Sequence, residues 1–346
     1  MAAEAGREGE AGAGPGLTGP TPMRLRKLGE RELLAVIGRH FSSPRKDIVL
    51  GIGDDTAILK PGPGRLLVTK DLLVEGYDFL MPLHDPRLLG RKSLNVNISD
   101  IAAMGGRPLY AVLGLGLPSE ISLDWVVEFF TGLKEAGRAS GVALVGGDLS
   151  QSRRVFVSVT LIGKAGRVVL RSGAKPGDLI FVSGTLGDSK QGLLLYKKGH
   201  RLGESHATDF FLRAFLDPKP QTALGQELAR RRAATAMIDC SDGLSVDLNN
   251  ICRASGVGAE VDPLRIPLSR PLRKLRKDAL FLALHGGEDF QLIFTVRPSA
   301  LPRLEPVRKR FPLTAIGRIV SEKGIWTVDA RGRRKVLEIK GYEHFR

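Results

Sequence analysis

At residues 236–248 an apolar run, Ala236-Met237-Ile238, ends in two aspartates three positions apart, Asp239 and Asp242, and a glycine and a helix-patterned segment follow at once. A short apolar run of this kind reads as a buried strand. A carboxylate delivered at its end costs free energy unless it is paired, hydrogen-bonded or bound to a cation. Similar Gly-acid corners recur at Gly53-Asp54-Asp55, Gly147-Asp148, Gly187-Asp188 and Gly287-Glu288-Asp289. The spacing therefore predicts strands that carry acidic groups at their ends, with helices between them, in α/β or α+β layers.

The rest of the chain follows that pattern. Residues 48–59 and 65–75 read as strands joined by the turn 61-PGPG-64. Asp85-Pro86 signals a helix start, Leu94, Ile98, Ile101 and Ala102 mark its core face, Asn97 and Asp100 project together from another stripe, and Gly105-Gly106 ends it. Strands are expected at 109–117, 142–148, 155–163, 235–240 and 290–296, and 179–189 reads as a strand running into a Gly-rich turn, with helices from Ser122, through Leu193–Leu195, and over 243–254. Residues 198–220 read as loop or short helix. A change of unit is expected near 164–167, giving an N-terminal domain over 23–165 and a C-terminal one over 166–346. Residues 1–22, rich in Gly, Ala, Glu, Pro and Thr, read as a disordered tail with no signal-peptide core.

Composition narrows the function. The 346 residues contain no uninterrupted apolar run of membrane-spanning length. Two cysteines, Cys240 and Cys252, make neither a disulfide framework nor a metal knuckle, and they are expected to be buried thiols in a cytoplasmic protein. The net charge of +15 favours anionic ligands or is a solvated basic surface. No RNA-binding aromatic motif or zinc finger accompanies it, so nucleic acid is not expected.

Asp55, Asp71, Asp100, Asp148, Asp239 and Asp242 each stand near the end of an apolar element. If they converge they repel one another, and either basic side chains or divalent cations must neutralise them. Mg2+ takes hard oxygen ligands and combines one or two carboxylates with substrate phosphates. Singly, each residue has a structural reading: Asp242 as a helix cap, Asp55 as a turn cap, Asp100 as solvated surface. Gly184-Thr185-Leu186-Gly187 before a helix either cradles phosphate or is a structural loop. A phosphate-binding loop of the GxxxxGK[ST] type and the protein-kinase motifs are absent from the sequence. The residues alone point to Mg-nucleotide chemistry.

Taken in order, 51-GIGDDTAIL-59, 69-TKDLLVEG-76, 92-KSLNVNISDIAAMGGRP-108, 145-VGGDLS-150, 171-RSGAKPGD-178, 183-SGTLGDS-189, 237-MIDCSDGLSVDL-248, 286-GGEDF-290 and 341-GYEHF-345 resemble the thiamine-monophosphate kinase family, in the superfamily of aminoimidazole ribonucleotide synthetase and selenophosphate synthetase. The resemblance implies that superfamily's two-domain α/β (α+β) fold, with an N-terminal domain that dimerises through a barrel-like interface and a C-terminal α/β sandwich. It implies ATP as co-substrate, thiamine monophosphate as acceptor, several Mg2+ ions and a homodimer. It makes Asp55, Thr69, Asp71, Asp100, Asp148 and Asp239 metal ligands and Asp242 a further metal site. Gly147, Asp148, Arg171 and Ser241 become ATP contacts, and Glu288 a substrate contact. No single base or nucleophile is implied. Three positions depart from the family's pattern: Lys70 for Thr, Asp78 for His, and Ile339 for an aromatic residue. They leave open a relative that acts with ATP on another acceptor. The charge leaves open a non-catalytic nucleotide- or nucleic-acid-binding protein.

Overall fold

A computed structural model of the chain describes residues 30–41, 45–50, 58–81 and 83–341. Helix α1 (Glu30–Phe41) and the short pair β1 (Ile48–Leu50) and β2 (Ile58–Leu59) precede the ten-residue strand β3 (Arg65–Val74). Helix α2 (Pro86–Ala103) starts where the sequence predicts, with the Asp85 carboxylate accepting from the Leu88 N–H and Pro86 in the first turn. Strand β4 (Arg107–Leu117), helix α3 (Leu123–Ser140, capped by Ser122), strand β5 (Ala143–Gln151) and strand β6 (Phe156–Ala165) follow. The four long strands form one sheet in the order β3-β6-β4-β5, with β4 and β5 parallel and the other pairs antiparallel.

One face of this sheet packs on α2 and α3, where Leu94, Ile98, Val126 and Phe129 meet Leu113, Val157, Val159 and Leu161. The two helices touch backbone to backbone. A Cβ on Gly132 would lie 1.8 Å from the Arg87 carbonyl oxygen, and one on Gly90 would lie 2.0 Å from that of Phe129. The opposite face of the sheet is apolar and open, with Leu66, Val68 and Leu72 of β3 more than half exposed and Val112 of β4 exposed beside them.

The remainder is β7 (Leu179–Ser183), α4 (Asp188–Lys197), α5 (His206–Leu216), α6 (Thr222–Arg230), β8 (Ala236–Asp239), α7 (Leu244–Ser255), β9 (Gly258–Val261), α8 (Arg270–Leu275), α9 (Ala279–His285), β10 (Leu292–Val296), α10 (Leu301–Arg308), β11 (Leu313–Val320), β12 (Ile325–Val328) and β13 (Arg334–Val336). Its seven strands run in the order β13-β12-β9-β11-β7-β10-β8, and only β12 and β9 pair in parallel. Alternate side chains feed opposite faces. Ile180, Val182, Ile238 and Ile293 pack under Leu244, Leu248 and Ile251 of α7. Phe181, Met237 and Phe294 pack under Leu224 and Leu228 of α6 and Leu304 of α10. Covered on both sides, β8 is buried along its whole length, which is why it reads as a continuous apolar run. The segment 198–220 holds α5, whose Phe211, Leu212, Phe215 and Leu216 are buried.

Helix α2 joins the two layers. It is buried on nearly every side, including Lys92, Ser93, Asn95, Asn97 and Ser99. Its polar side chains bond across to the second sheet's layer: the Arg91 Nε–H donates to Asp217 (2.9 Å), and the Asn95 amide donates to the Pro218 carbonyl (3.0 Å). Buried polar groups survive only where such partners exist.

Candidate functional site

The site lies where β3, α2 and β8 converge. In β3 the side chains alternate, so Thr69 and Asp71 turn toward α2 and Lys70 turns to the open face. The Thr69 hydroxyl donates to Asp100 Oδ2 (2.5 Å). The Asp71 N–H donates to Asn97 Oδ1 (3.1 Å), and the Asn97 amide in turn donates to the Ser93 carbonyl (3.0 Å). From the second sheet, Asp239 at the end of β8 accepts from the Ser99 hydroxyl of α2 (2.7 Å) and is 2% exposed.

These carboxylates raise one another's pKa. Burial first, then the Asp100 charge, pushes Asp71 and Asp239 up to about 7, with Asp71 acting further on Asp239. Burial also raises Asp100, against the pull of the Thr69 hydroxyl and the Arg171 guanidinium. The structure thus brings Thr69, Asp71, Asp100, Asp239 and Arg171 together.

The loop after β8 carries Ser241 and Asp242 and packs backbone to backbone on the corner 286–290. A Cβ on Gly287 would lie 2.4 Å from the Ser241 carbonyl oxygen, so only glycine fits there. The Glu288 N–H donates to Ser241 O (2.7 Å), and Glu288 itself is held at φ +64°, a conformation that costs a non-glycine residue free energy. Asp247, in the first turn of α7, accepts from the Asp242 and Gly243 N–H groups. Burial, then Asp239 and Asp242, pushes Asp247 up to about 8.

Other expected positions fall elsewhere. Asp55 lies outside the described residues. Gly147 and Asp148 sit on the edge strand β5, at the far side of the sheet from β3. Asp148 pairs with Gly114, and Gly114 with Ser158, in the row that includes Leu72, so its side chain belongs to the open face together with Lys70. Within one chain it does not join Asp71, Asp100 and Asp239. The Asp78 carboxylate accepts from the Val74 N–H (2.8 Å) and closes the turn after β3. Ile339 is 44% exposed, one residue before Lys340, whose carbonyl accepts from the Ser245 hydroxyl of α7 (2.6 Å).

The corner Gly184–Gly187 takes the structural reading. The Asp289 carboxyl group accepts from the N–H groups of Gly187 (2.7 Å) and Ser189 (3.2 Å), so an internal acceptor already occupies the start of α4. Both cysteines are buried thiols.

Two features carried no sequence signal. A cavity of about 950 Å3 opens beside β5, lined by Arg45, Arg107, Lys134 and Arg138 with the backbone of 141–145. Its basic residues are scattered over ninety positions and assemble only in the fold. The second is a buried ion pair between Lys92 and Glu288. Both partners stood inside quoted motifs, but nothing in the residue pattern linked them.

Comparison with known proteins shows what the arrangement belongs to. Residues 53–165 match the AIR synthase related protein N-terminal domain, and residues 175–328 match its C-terminal domain. The chain is 37% identical over 329 residues to the thiamine-monophosphate kinase of Aquifex aeolicus, covering 93% of this chain and 100% of that protein. Among solved structures, that of the thiamine-monophosphate kinase of Stenotrophomonas maltophilia superposes with a TM-score of 0.78 at 38% identity, over 85% of this chain and 95% of that one. That of AaThiL complexed with AMPPCP and TMP superposes with a TM-score of 0.75 at 36% identity, over 93% and 99%.

Proposed function

Because the chain belongs to the thiamine-monophosphate kinase family, we propose that it moves the γ-phosphoryl group of ATP onto the phosphate of thiamine monophosphate, giving thiamine diphosphate and ADP. The observation that carries this reading is the carboxylate group of half-buried Asp71 and Asp100 with buried Asp239, held by α2 between the two sheets in a chain alignable over nearly its full length with a relative that binds an ATP analogue and TMP.

The acceptor oxygen belongs to a phosphate that is already ionised near neutral pH, so it attacks phosphorus without a base. The bond from the γ-phosphorus to the bridging oxygen breaks, and its electron pair leaves with ADP. The protein's work is therefore alignment and charge neutralisation. Arg171, within electrostatic reach of Asp100, supplies one positive charge for the nucleotide phosphates. Gly147 and Asp148 are nucleotide contacts by the family resemblance, although within one chain Asp148 lies on the sheet face opposite Asp71. Ser241 lies on the loop after β8, and Glu288 forms the acceptor side.

The donor set fits Mg2+. Asp71, Asp100, Asp239 and the Thr69 hydroxyl are hard oxygen donors whose mutual repulsion a divalent cation relieves, and Asp242 stands on the neighbouring loop. Among the described residues no three His, Cys, Asp or Glu side chains are grouped so as to hold a metal ion by themselves. Mg2+ completes its shell with waters and substrate phosphates, so a closed cage is not required. When bound, Mg2+ shields the two anions from each other and draws charge from the transferring group.

Two departures from the family pattern are accommodated. Lys70 lies on the opposite face from Asp71, and the Asp78 carboxylate is engaged by a backbone N–H. The test is ADP release with thiamine monophosphate, alongside mass detection of thiamine diphosphate. Turnover well above the ATPase background is expected; ATP binding without it would point to another acceptor, and salt-sensitive RNA binding without any ATP chemistry would overturn the reading altogether.

We further propose that a second copy of the chain covers the open face of the four-stranded sheet, because Leu66, Val68, Leu72 and Val112 form an apolar face unusual for a free surface. Sedimentation equilibrium should give a dimer for the native chain and a monomer for Val68→Asp; a monomeric native chain refutes it. The division at residues 165/166 is supported by the two separate sheets, and a cytoplasmic setting by the free buried thiols. No described helix is long and apolar enough to cross a membrane.

A further inference from the structure

Lys92 is fully buried, and its ammonium lies 2.8 Å from Glu288 Oε1 and 3.8 Å above the Phe215 ring. A buried lysine costs several kcal/mol in desolvation, on the order of what its partner returns, so ion pairs of this kind are poor devices for stability alone. The pair is also asymmetric. The Lys92 side chain is 0% exposed and that of Glu288 is 30% exposed. The cation is sealed behind α2 and α5, and the carboxylate is partly open. Glu288 sits at a left-handed backbone position pinned to Ser241, so its carboxylate is aimed from both ends. Beside the pair, His84 is buried, and burial together with the Lys92 charge pushes it down to about 3, leaving a neutral imidazole.

From this geometry we infer that Lys92 is a positioning residue for the acceptor. It reaches from the N-terminal layer to hold one oxygen of Glu288, so that the other oxygen meets the acceptor in a fixed orientation. The inference rests on the preceding reading of Glu288 as an acceptor contact. It adds a residue that touches neither substrate nor metal.

The experiment compares the native enzyme with Lys92→Met, Lys92→Arg, Glu288→Gln and the double variant Lys92→Met/Glu288→Gln. It measures kcat and the KM for thiamine monophosphate and for ATP separately, and records each melting curve. Lys92→Met is expected to raise KM for thiamine monophosphate by about tenfold while KM for ATP stays within about twofold. Because Lys92 acts through Glu288, the double variant should be no worse than Glu288→Gln alone. A KM for thiamine monophosphate unchanged from native, KM values that rise together for both substrates, or losses that multiply in the double variant each overturn it. Should Lys92→Met not fold, Lys92→Arg decides: its bulkier head group must shift KM for thiamine monophosphate by at least about threefold and leave ATP unaffected, and unchanged or parallel values overturn the inference. A native enzyme that does not turn over thiamine monophosphate removes the function on which the inference depends, and with it the inference; a native enzyme that does, with Lys92→Met and Lys92→Arg matching it, removes the inference alone.

Discussion

Asp239→Asn is expected to lower kcat/KM for ATP by roughly 10²–10³-fold, the loss of about 3–4 kcal/mol of metal-borne charge stabilisation in the transition state. The substitution keeps shape and the bond from Ser99, and it removes one negative charge from the group it forms with Asp71 and Asp100. The same charge dictates a pH dependence. Burial and the Asp100 charge lift Asp71 and Asp239 to about 7, above the ordinary aspartate value of about 3.9. Between those values the folded state holds protons that the unfolded state has released. Their stabilising contribution is complete below about pH 4 and lost as pH rises through 7. Without Mg2+ the melting temperature should therefore fall between pH 5 and pH 8. Added Mg2+ should restore it at pH 8 and do little at pH 5. In Asp239→Asn the metal-free fall should shrink, and so should the rescue by Mg2+. Kinetics within threefold of native at saturating Mg2+, or a melting temperature indifferent to Mg2+ at pH 8, would rule out the ligand role.

Gly132→Ala should be the most damaging single-methyl change in the first layer. The added Cβ would lie 1.8 Å from the Arg87 carbonyl oxygen and 2.6 Å from its carbonyl carbon, and neither is a side chain that can rotate aside. Helices α2 and α3 must separate, which costs about 3 kcal/mol or more and lowers the melting temperature by roughly 5–10 °C. Because α2 carries Asn97, Ser99 and Asp100, activity should fall with stability. Gly38→Ala is the control: it lies inside α1 with nothing within 4 Å of its would-be Cβ, and it should gain up to about 1 kcal/mol from helix propensity. Differential scanning calorimetry of the two variants checks both, and a Gly132→Ala melting temperature within about 2 °C of native would show that the helices do not meet as closely as this.

How far the site was legible depended on whether its signals were local. β8 declared itself because both faces of its sheet are covered, so its three residues before Asp239 are all apolar. The start of α2 was written in Asp85-Pro86, because capping is a matter of three consecutive residues. Thr69 and Asp71 share a face and Lys70 does not, a consequence of strand alternation available from the sequence once β3 is assigned.

Pairings between distant positions carried no such mark. That Asp289 rather than a phosphate fills the start of α4 and that Asp148 lies on the face opposite Asp71 depend on which backbone comes alongside which. The polar stripe of α2 is the clearest case. Lys92, Asn95 and Ser99 look like a solvated helix face in one dimension, and they are buried because a second sheet supplies Glu288, Pro218 and Asp239 from more than a hundred residues away. Residue types and local periodicity settle which elements form and which chemistry is on hand. Only long-range closure decides which charges share a cavity, because burial and Coulomb repulsion are properties of neighbours in space and not of neighbours along the chain.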